Sequence, residues 1–204
     1  VETSVPLRGD LKIVGLVSTG HFFSHYFYLT LPPLFPLIKE EFNASYTELG
    51  LLVSVFAIAS ATLQTPMGFL VDRIGALPVL IGGMALQAGS FALMGVVPTY
   101  SVLLLLAMAG GAGNSVFHPS DYAIMTSSVS PGRLGRAVSM HSLSGFLGFA
   151  AAHLRLGQVV VARLKTGVDG YHPLKEFYCL GVLAFPGQQE SHQPVRLWVG
   201  QVIF

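Results

Sequence analysis

The chain has 204 residues, of which 52% are hydrophobic and only 10% charged, with 23 glycines and a mean hydropathy of +0.63. Soluble domains carry about 25% charged residues, so this composition excludes an ordinary water-soluble globule and, by its apolarity, a disordered chain. The net charge of +1 gives no reason to expect a nucleic acid or a strongly acidic partner, and the lone cysteine, Cys179, excludes a disulfide framework or a Cys-based zinc site.

Apolar runs bounded by charges divide the chain. Residues 13–38 and 49–71 are free of Asp, Glu, Lys and Arg, and so is 74–120. As one helix the last run would be roughly 70 Å long, over twice a ~30 Å hydrocarbon core. It must fold back, and Val97-Pro98-Thr99-Tyr100 is the natural reversal. The expected spans are 13–38, 48–71, 76–97, 100–127 and a shorter fifth at 137–153. Pro32, Pro33 and Pro36 break the first near its far end. Ser45-Tyr46-Thr47-Glu48 fits a capping box at the start of the second.

The N-terminal apolar stretch is too long for a signal-peptide core, and no small-x-small site follows it. The first residue is Val, which reads as an alternative start or a position inside a longer gene. Basic residues set the orientation. Arg8 and Lys12 precede the first span, Arg73 follows the second, and Arg133 and Arg136 follow the fourth. Lys39 sits among Glu40, Glu41 and Glu48, and the reversal at 97–100 carries no base. The expected topology has a cytoplasmic N-terminus, with loops 72–76 and 129–136 on the same side.

Three stretches carry candidate chemistry. The first is Gly68-Phe69-Leu70-Val71-Asp72-Arg73-Ile74-Gly75, a tight turn in which Asp72 can cap a helix or pair with a base and the glycines permit a sharp reversal. The second is Gly110-Gly111-Ala112-Gly113-Asn114-Ser115-Val116-Phe117-His118-Pro119-Ser120-Asp121-Tyr122. Gly110 and Gly113 allow close helix packing, and Pro119 frees a backbone carbonyl three to four residues earlier. His118 and Asp121 share a helix face. The carboxylate either faces a polar cavity or lies at the interface against Arg133 or Arg136. The third is His21 and His25, one turn apart with Ser24 and Tyr28 beside them. Such a pair can hold a proton, bind an anion, ligate a metal or simply hydrogen-bond between helices.

The Asp-Arg turn resembles the signature loop between helices 2 and 3 of the major facilitator superfamily, although Ala76-Leu77 stands where two basic residues are usual. The His-Phe-Phe-Ser-His run at 21–25 and the Val-Phe-His-Pro segment resemble the fosmidomycin-resistance branch, over residues 11 to about 152. The resemblance implies an all-α membrane protein. It would be a truncated N-terminal bundle of about five transmembrane helices, at 1–152, from a twelve-helix carrier in a bacterial inner membrane. It implies proton-coupled efflux of a small drug-like compound, and a gating role for Gly68, Asp72, Arg73 and Gly75. By the same resemblance, helices 1 and 4 would begin the two repeats of a half-carrier and line the central path, which makes His21, His25, His118 and Asp121 cavity and proton-coupling candidates. The implied partners are the lipid bilayer, a small-molecule substrate, protons and a missing C-terminal bundle.

Ser142-Leu143-Ser144-Gly145-Phe146-Leu147-Gly148 looks like the start of a glycine-rich fifth helix, with His141 as an interface or packing residue. Residues 153–204 hold eight of the charges and no apolar run long enough to cross a bilayer, so they form an unassigned tail that reads as a frameshifted or misjoined end. His172, Cys179 and His192 are too scattered for a metal site, and no cofactor or metal is expected. No nucleophile–base pair appears, so an enzyme is not expected. The competing readings are an uptake carrier for an organic anion or sugar, and a membrane fragment or helix-pairing scaffold. On its helix count alone, the chain is expected not to transport by itself.

Overall fold

A computed structural model describes residues 7–166, with side chains described through residue 158. All regular structure among them is helical. The order is α1 (Leu7–Tyr28), a 3-10 turn (Pro32–Leu34), α2 (Phe35–Phe42), α3 (Tyr46–Ile74), α4 (Ala76–Met94), α5 (Tyr100–Asn114), α6 (Phe117–Ser128) and α7 (Pro131–Thr166). Three stretches are long and apolar enough to cross a membrane: α3, α4, and α5 together with α6. Helices α1 and α7 pack along one another beside them.

The helix ends follow local chemistry. The expected first span at 13–38 is divided: α1 stops at Tyr28, and the prolines at 32, 33 and 36 restart the chain as a 3-10 turn and the short α2. Proline lacks the N–H an established helix would need there. Asn43, at φ +48, ends α2, and Ser45 then starts α3 with a complete capping box. The Ser45 hydroxyl accepts from the Glu48 N–H, and the Glu48 carboxylate accepts from the Ser45 N–H at 2.8 Å. The fourth span is interrupted at Ser115–Val116, four residues before Pro119, whose ring would meet the Ser115 carbonyl in a continuous helix. Helix α7 starts earlier than the expected 137 and continues past 153 to Thr166; the remainder of the expected tail lies outside the described residues.

Packing relies on small residues, because lipid offers helices no hydrophobic drive to associate. A Cβ on Gly111 would run into the Phe56 backbone of α3, and one on Gly113 would lie 2.6 Å from the Gln87 backbone nitrogen of α4. A Cβ on Gly110 would lie 3.2 Å from the Phe91 ring. These glycines seat α5 between α3 and α4. Phe56, Phe91, Leu52, Met94 and Leu103 fill the space around them. Large apolar side chains such as Phe69, Ile58, Leu77, Leu105 and Phe146 point outward, as a lipid-facing surface requires.

Two sets of polar contacts mark opposite ends of the bundle. At one, Arg133 Nε donates to the buried Asp10 carboxylate at 2.6 Å, joining the start of α1 to the α6–α7 connection. At the other, the Tyr100 hydroxyl donates to the Glu48 carbonyl at 2.9 Å. Arg133 therefore pairs with Asp10, and the interfacial placement of Asp121 against Arg133 or Arg136 is not what the chain adopts.

Asp10 lies ahead of the apolar part of α1. Burial would raise its carboxyl, but the hydrogen bonds from Arg133 and Ser130 outweigh that effect and hold it below its ordinary value of 3.8. The sign follows from linkage: a lowered folded value contributes stability above the unfolded value, and that stability is lost as pH falls through the folded one. Thermal unfolding scanned from pH 6 to about pH 2 should therefore show an acid-dependent loss that Asp10→Asn flattens. An unchanged acid limb in the variant would mean that this pair contributes nothing.

Candidate functional site

Three helices bring four histidines and one carboxylate together. Helix α1 contributes His21 and His25, α6 contributes His118 and Asp121, and α7 contributes His141. The His21 and His25 rings are 4.2 Å apart between centroids, and His118 stands edge-on to His21 at 5.3 Å. His141, expected as an interface or packing residue, is 1% exposed and packs by stacking on His21 at 3.8 Å, inside the cluster. Asp121 is completely enclosed, with its Oδ2 3.6 Å from His21 Nδ1 and 3.7 Å from His141 Nε2. The structure thus gathers all four proposed cavity residues and adds a fifth.

Glycines on α7 make this possible. A Cβ on Gly145 would lie 2.8 Å from His21 Nε2 and 3.0 Å from His25 Cε1, and a Cβ on Gly148 would collide with the Phe22 carbonyl. Without side chains at these two positions α7 comes flush against α1, and His141, one turn before Gly145, reaches His21. The available sequence signal was the spacing of His141, Gly145 and Gly148, which places a histidine and two gaps on neighbouring positions of one helix face.

The polar atoms of the cluster face each other without being saturated. His21 Nδ1, His25 Nδ1, both nitrogens of His141 and both carboxylate oxygens of Asp121 are buried and make no hydrogen bond. A second, saturated network lies nearby. Asn114 donates to the Ser24 hydroxyl at 2.8 Å and accepts from the Ser60 hydroxyl at 2.8 Å, and Gln87 donates to the Ser24 carbonyl at 3.4 Å. It ties α1, α3, α4 and α5 together beside the cluster and holds the Ser24 turn, from which His21 and His25 flank the site.

The proposed gating residues lie elsewhere. Asp72 and Arg73 are exposed at the end of α3, and Gly75, at φ +92, makes the turn in which α3 stops and α4 starts at once. A non-glycine residue is strained at that φ. Asp72 does not cap α4, whose N-terminus has Gly75 in the cap position and no side-chain hydrogen bond. A Cβ on Gly68 would meet nothing, so that glycine carries no close packing. A hollow of about 590 Å³ at the α2–α3 corner, lined by Phe35, Lys39, Asn43 and Tyr46, and one of about 200 Å³ beside Asp10 and Arg133 are both separate from the histidines.

An all-helical bundle with an apolar exterior, close glycine crossings and a buried polar cluster is the build of a multi-pass membrane protein. The chain belongs to the Major Facilitator Superfamily, whose family model matches residues 17–168. It is 27% identical to the fosmidomycin resistance protein of Escherichia coli K12 over 87% of this chain and 43% of that protein. It is 32% identical to the multidrug resistance protein MdtH of Cronobacter sakazakii over 52% of this chain and 28% of that protein. A third relative, named "Probable L-galactonate transporter" of Escherichia coli K12, is 29% identical over 56% of this chain and 25% of its own length. The chain spans less than half the length of each of these three curated relatives.

Proposed function

We propose that this chain forms the first helical bundle of a proton-coupled secondary carrier that exports a small drug-like compound. The observation that carries the reading is Asp121: a carboxylate with no exposure, set between His21 and His141 at 3.6 and 3.7 Å. An ionisable group at membrane depth costs at least ~2.5–3.5 kcal/mol by insertion scales and is retained where it serves an ion or substrate path. Here one proton gained or lost changes the charge of a knot shared by three helices. Binding that proton alters the attraction between α1, α6 and α7, which is the coupling a carrier needs between protonation and helix arrangement. The resistance proteins among the relatives support export of a toxic small molecule. The relative named for L-galactonate favours a second reading, uptake of an organic acid by the same scaffold.

Orientation follows from charge. Arg8 and Lys12 at the start of α1, Arg73 at the end of α3, and Arg133 and Arg136 at the start of α7 fall at the same end of successive spans, which favours an N-terminus in the cytoplasm; the bacterial relatives favour an inner membrane. An impermeant thiol reagent added outside should label cysteines introduced at Asn43 or Thr99 and miss one at Arg133. Labelling at 133 from outside would reverse the topology.

The exposed Asp72-Arg73 turn is assigned to a cytoplasmic gate. Alternating access needs two bundles around one site, so the measurement uses a carrier with both bundles, and the 204-residue chain alone in liposomes is expected to show no gradient-driven flux. In inverted vesicles energised by a proton gradient, the two-bundle carrier should accumulate the exported solute. Asp72→Asn should slow this at least about tenfold, equivalent to ~1.4 kcal/mol on the limiting step, with unchanged membrane insertion. Equal rates would leave the turn a purely structural reversal, and flux in the opposite direction would favour uptake.

A further inference from the structure

We propose that the cluster where α1, α6 and α7 meet is a binding site for a divalent transition metal of the zinc type, held by His21, His118, His141 and Asp121. Each of the three histidines offers a ring nitrogen, and these atoms all lie within 4.8 Å of one another. Four-coordinate zinc takes nitrogen and oxygen ligands at about 2.0–2.1 Å, which sets neighbouring ligand atoms roughly 3.3–3.4 Å apart. The contacts of Asp121 Oδ2 with His21 Nδ1 and His141 Nε2, at 3.6 and 3.7 Å, already approach that edge length. His21 and His141 stack at 3.8 Å with planes 27° apart, so their nitrogens converge on one ion only when one ring turns about its side-chain torsions. Three imidazoles and one carboxylate suit zinc, cobalt, nickel or copper, whereas magnesium and calcium require oxygen-rich shells.

A second observation points to an occupant. Six buried polar atoms of His21, His25, His141 and Asp121 have no hydrogen-bond partner. A buried polar group left unsatisfied costs about 1–3 kcal/mol, more when charged, and a carboxylate without a cation is the most costly member. A single divalent ion would take up several of these atoms at once and neutralise Asp121. No Lys or Arg from α1, α6 or α7 makes an ion pair with Asp121 among the described residues, and Arg133 pairs with Asp10. The ligands are the same residues as the proposed proton-coupling knot, so ion and proton would compete for Asp121, and the site is tested by binding to the chain rather than by transport.

The test is titration of zinc into the purified full chain in detergent, followed calorimetrically, with cobalt as a visible-absorbance probe of coordination. One equivalent per chain is expected, with intense bands typical of a four-coordinate cobalt centre. His141→Gln and Asp121→Asn should each weaken binding at least about tenfold and erase the bands. His118→Asn, at the less enclosed side of the cluster, provides a third variant should either of these fail to fold by circular dichroism and gel filtration. His153→Ala, on an outward position of α7, and His172→Ala, outside the described residues, should change nothing. Absence of zinc binding by the folded chain would overturn the site. So would binding that survives all the cluster variants that fold, or that disappears with His153→Ala or His172→Ala.

Discussion

Asp121→Asn is expected to abolish proton-driven transport in the two-bundle carrier while leaving the bundle as stable as before, or more so. Asparagine keeps the shape of the side chain and removes the possibility of a buried negative charge. Removing such a charge relieves desolvation rather than creating a cavity. The carboxylate is fully enclosed and makes no hydrogen bond, so no neighbour loses a bonded partner when it is replaced. The two effects are therefore expected to separate: transport falls by at least about a hundredfold, or ~2.7 kcal/mol, and the apparent Tm in metal-free detergent holds or rises. A variant that lost stability and transport in parallel would show that Asp121 is a structural member of the α1–α6–α7 contact. A variant that still transported at the original rate would remove the carboxylate from the coupling path.

The largest effect on stability is expected from Gly111→Ala. The added methyl group would meet the Phe56 backbone of α3, which cannot swing aside as a flexible side chain could. Helices α3 and α5 must then separate, and the packing of Phe56 against Phe91 and Leu103 loosens with them. Overpacking of this kind costs typically 1–3 kcal/mol, and backbone contact places Gly111 at the upper end. Gly148→Ala should behave similarly through the Phe22 carbonyl at the α1–α7 crossing. Gly82→Ala and Gly89→Ala are the comparison, since a Cβ at either position meets nothing, and alanine is the better helix former by about 0.8–1.0 kcal/mol. Thermal unfolding in detergent, followed by gel filtration, should rank the first pair well below the second. Equal midpoints for all four would mean that the crossings yield without cost.

What could be read before folding was what depends on neighbours along the chain. The membrane class follows from the scarcity of charge, and the three membrane-capable stretches at α3, α4 and α5–α6 follow from runs whose length matches a bilayer. The Ser45–Glu48 cap and the interruption at Pro32–Pro33 are consequences of hydrogen bonds that a short side chain replaces or proline withholds within one turn, whereas the expected 100–127 span hid the break ahead of Pro119. The likeness to the superfamily rested on local runs as well, the turn at Asp72-Arg73 and the segment at 117–119. His21 with His25, and His118 with Asp121, could each be paired because four and three residues along one helix return to the same face.

The rotation and depth at which one helix meets another were decided only by the tertiary structure. His141 has only serines as polar neighbours within its own turn, and although its spacing from Gly145 and Gly148 marks one helix face, its membership of the cluster depends on those glycines bringing α7 against α1. Asp121, three-quarters of the way along the expected 100–127 span, had two candidate environments. The capture of Arg133 by Asp10, from a helix over a hundred residues away, leaves Asp121 among the histidines. The physical reason is that helical periodicity defines a face without naming what the face will touch. That assignment comes from close packing, where missing side chains at Gly111, Gly113, Gly145 and Gly148 set how near each pair of backbones can come.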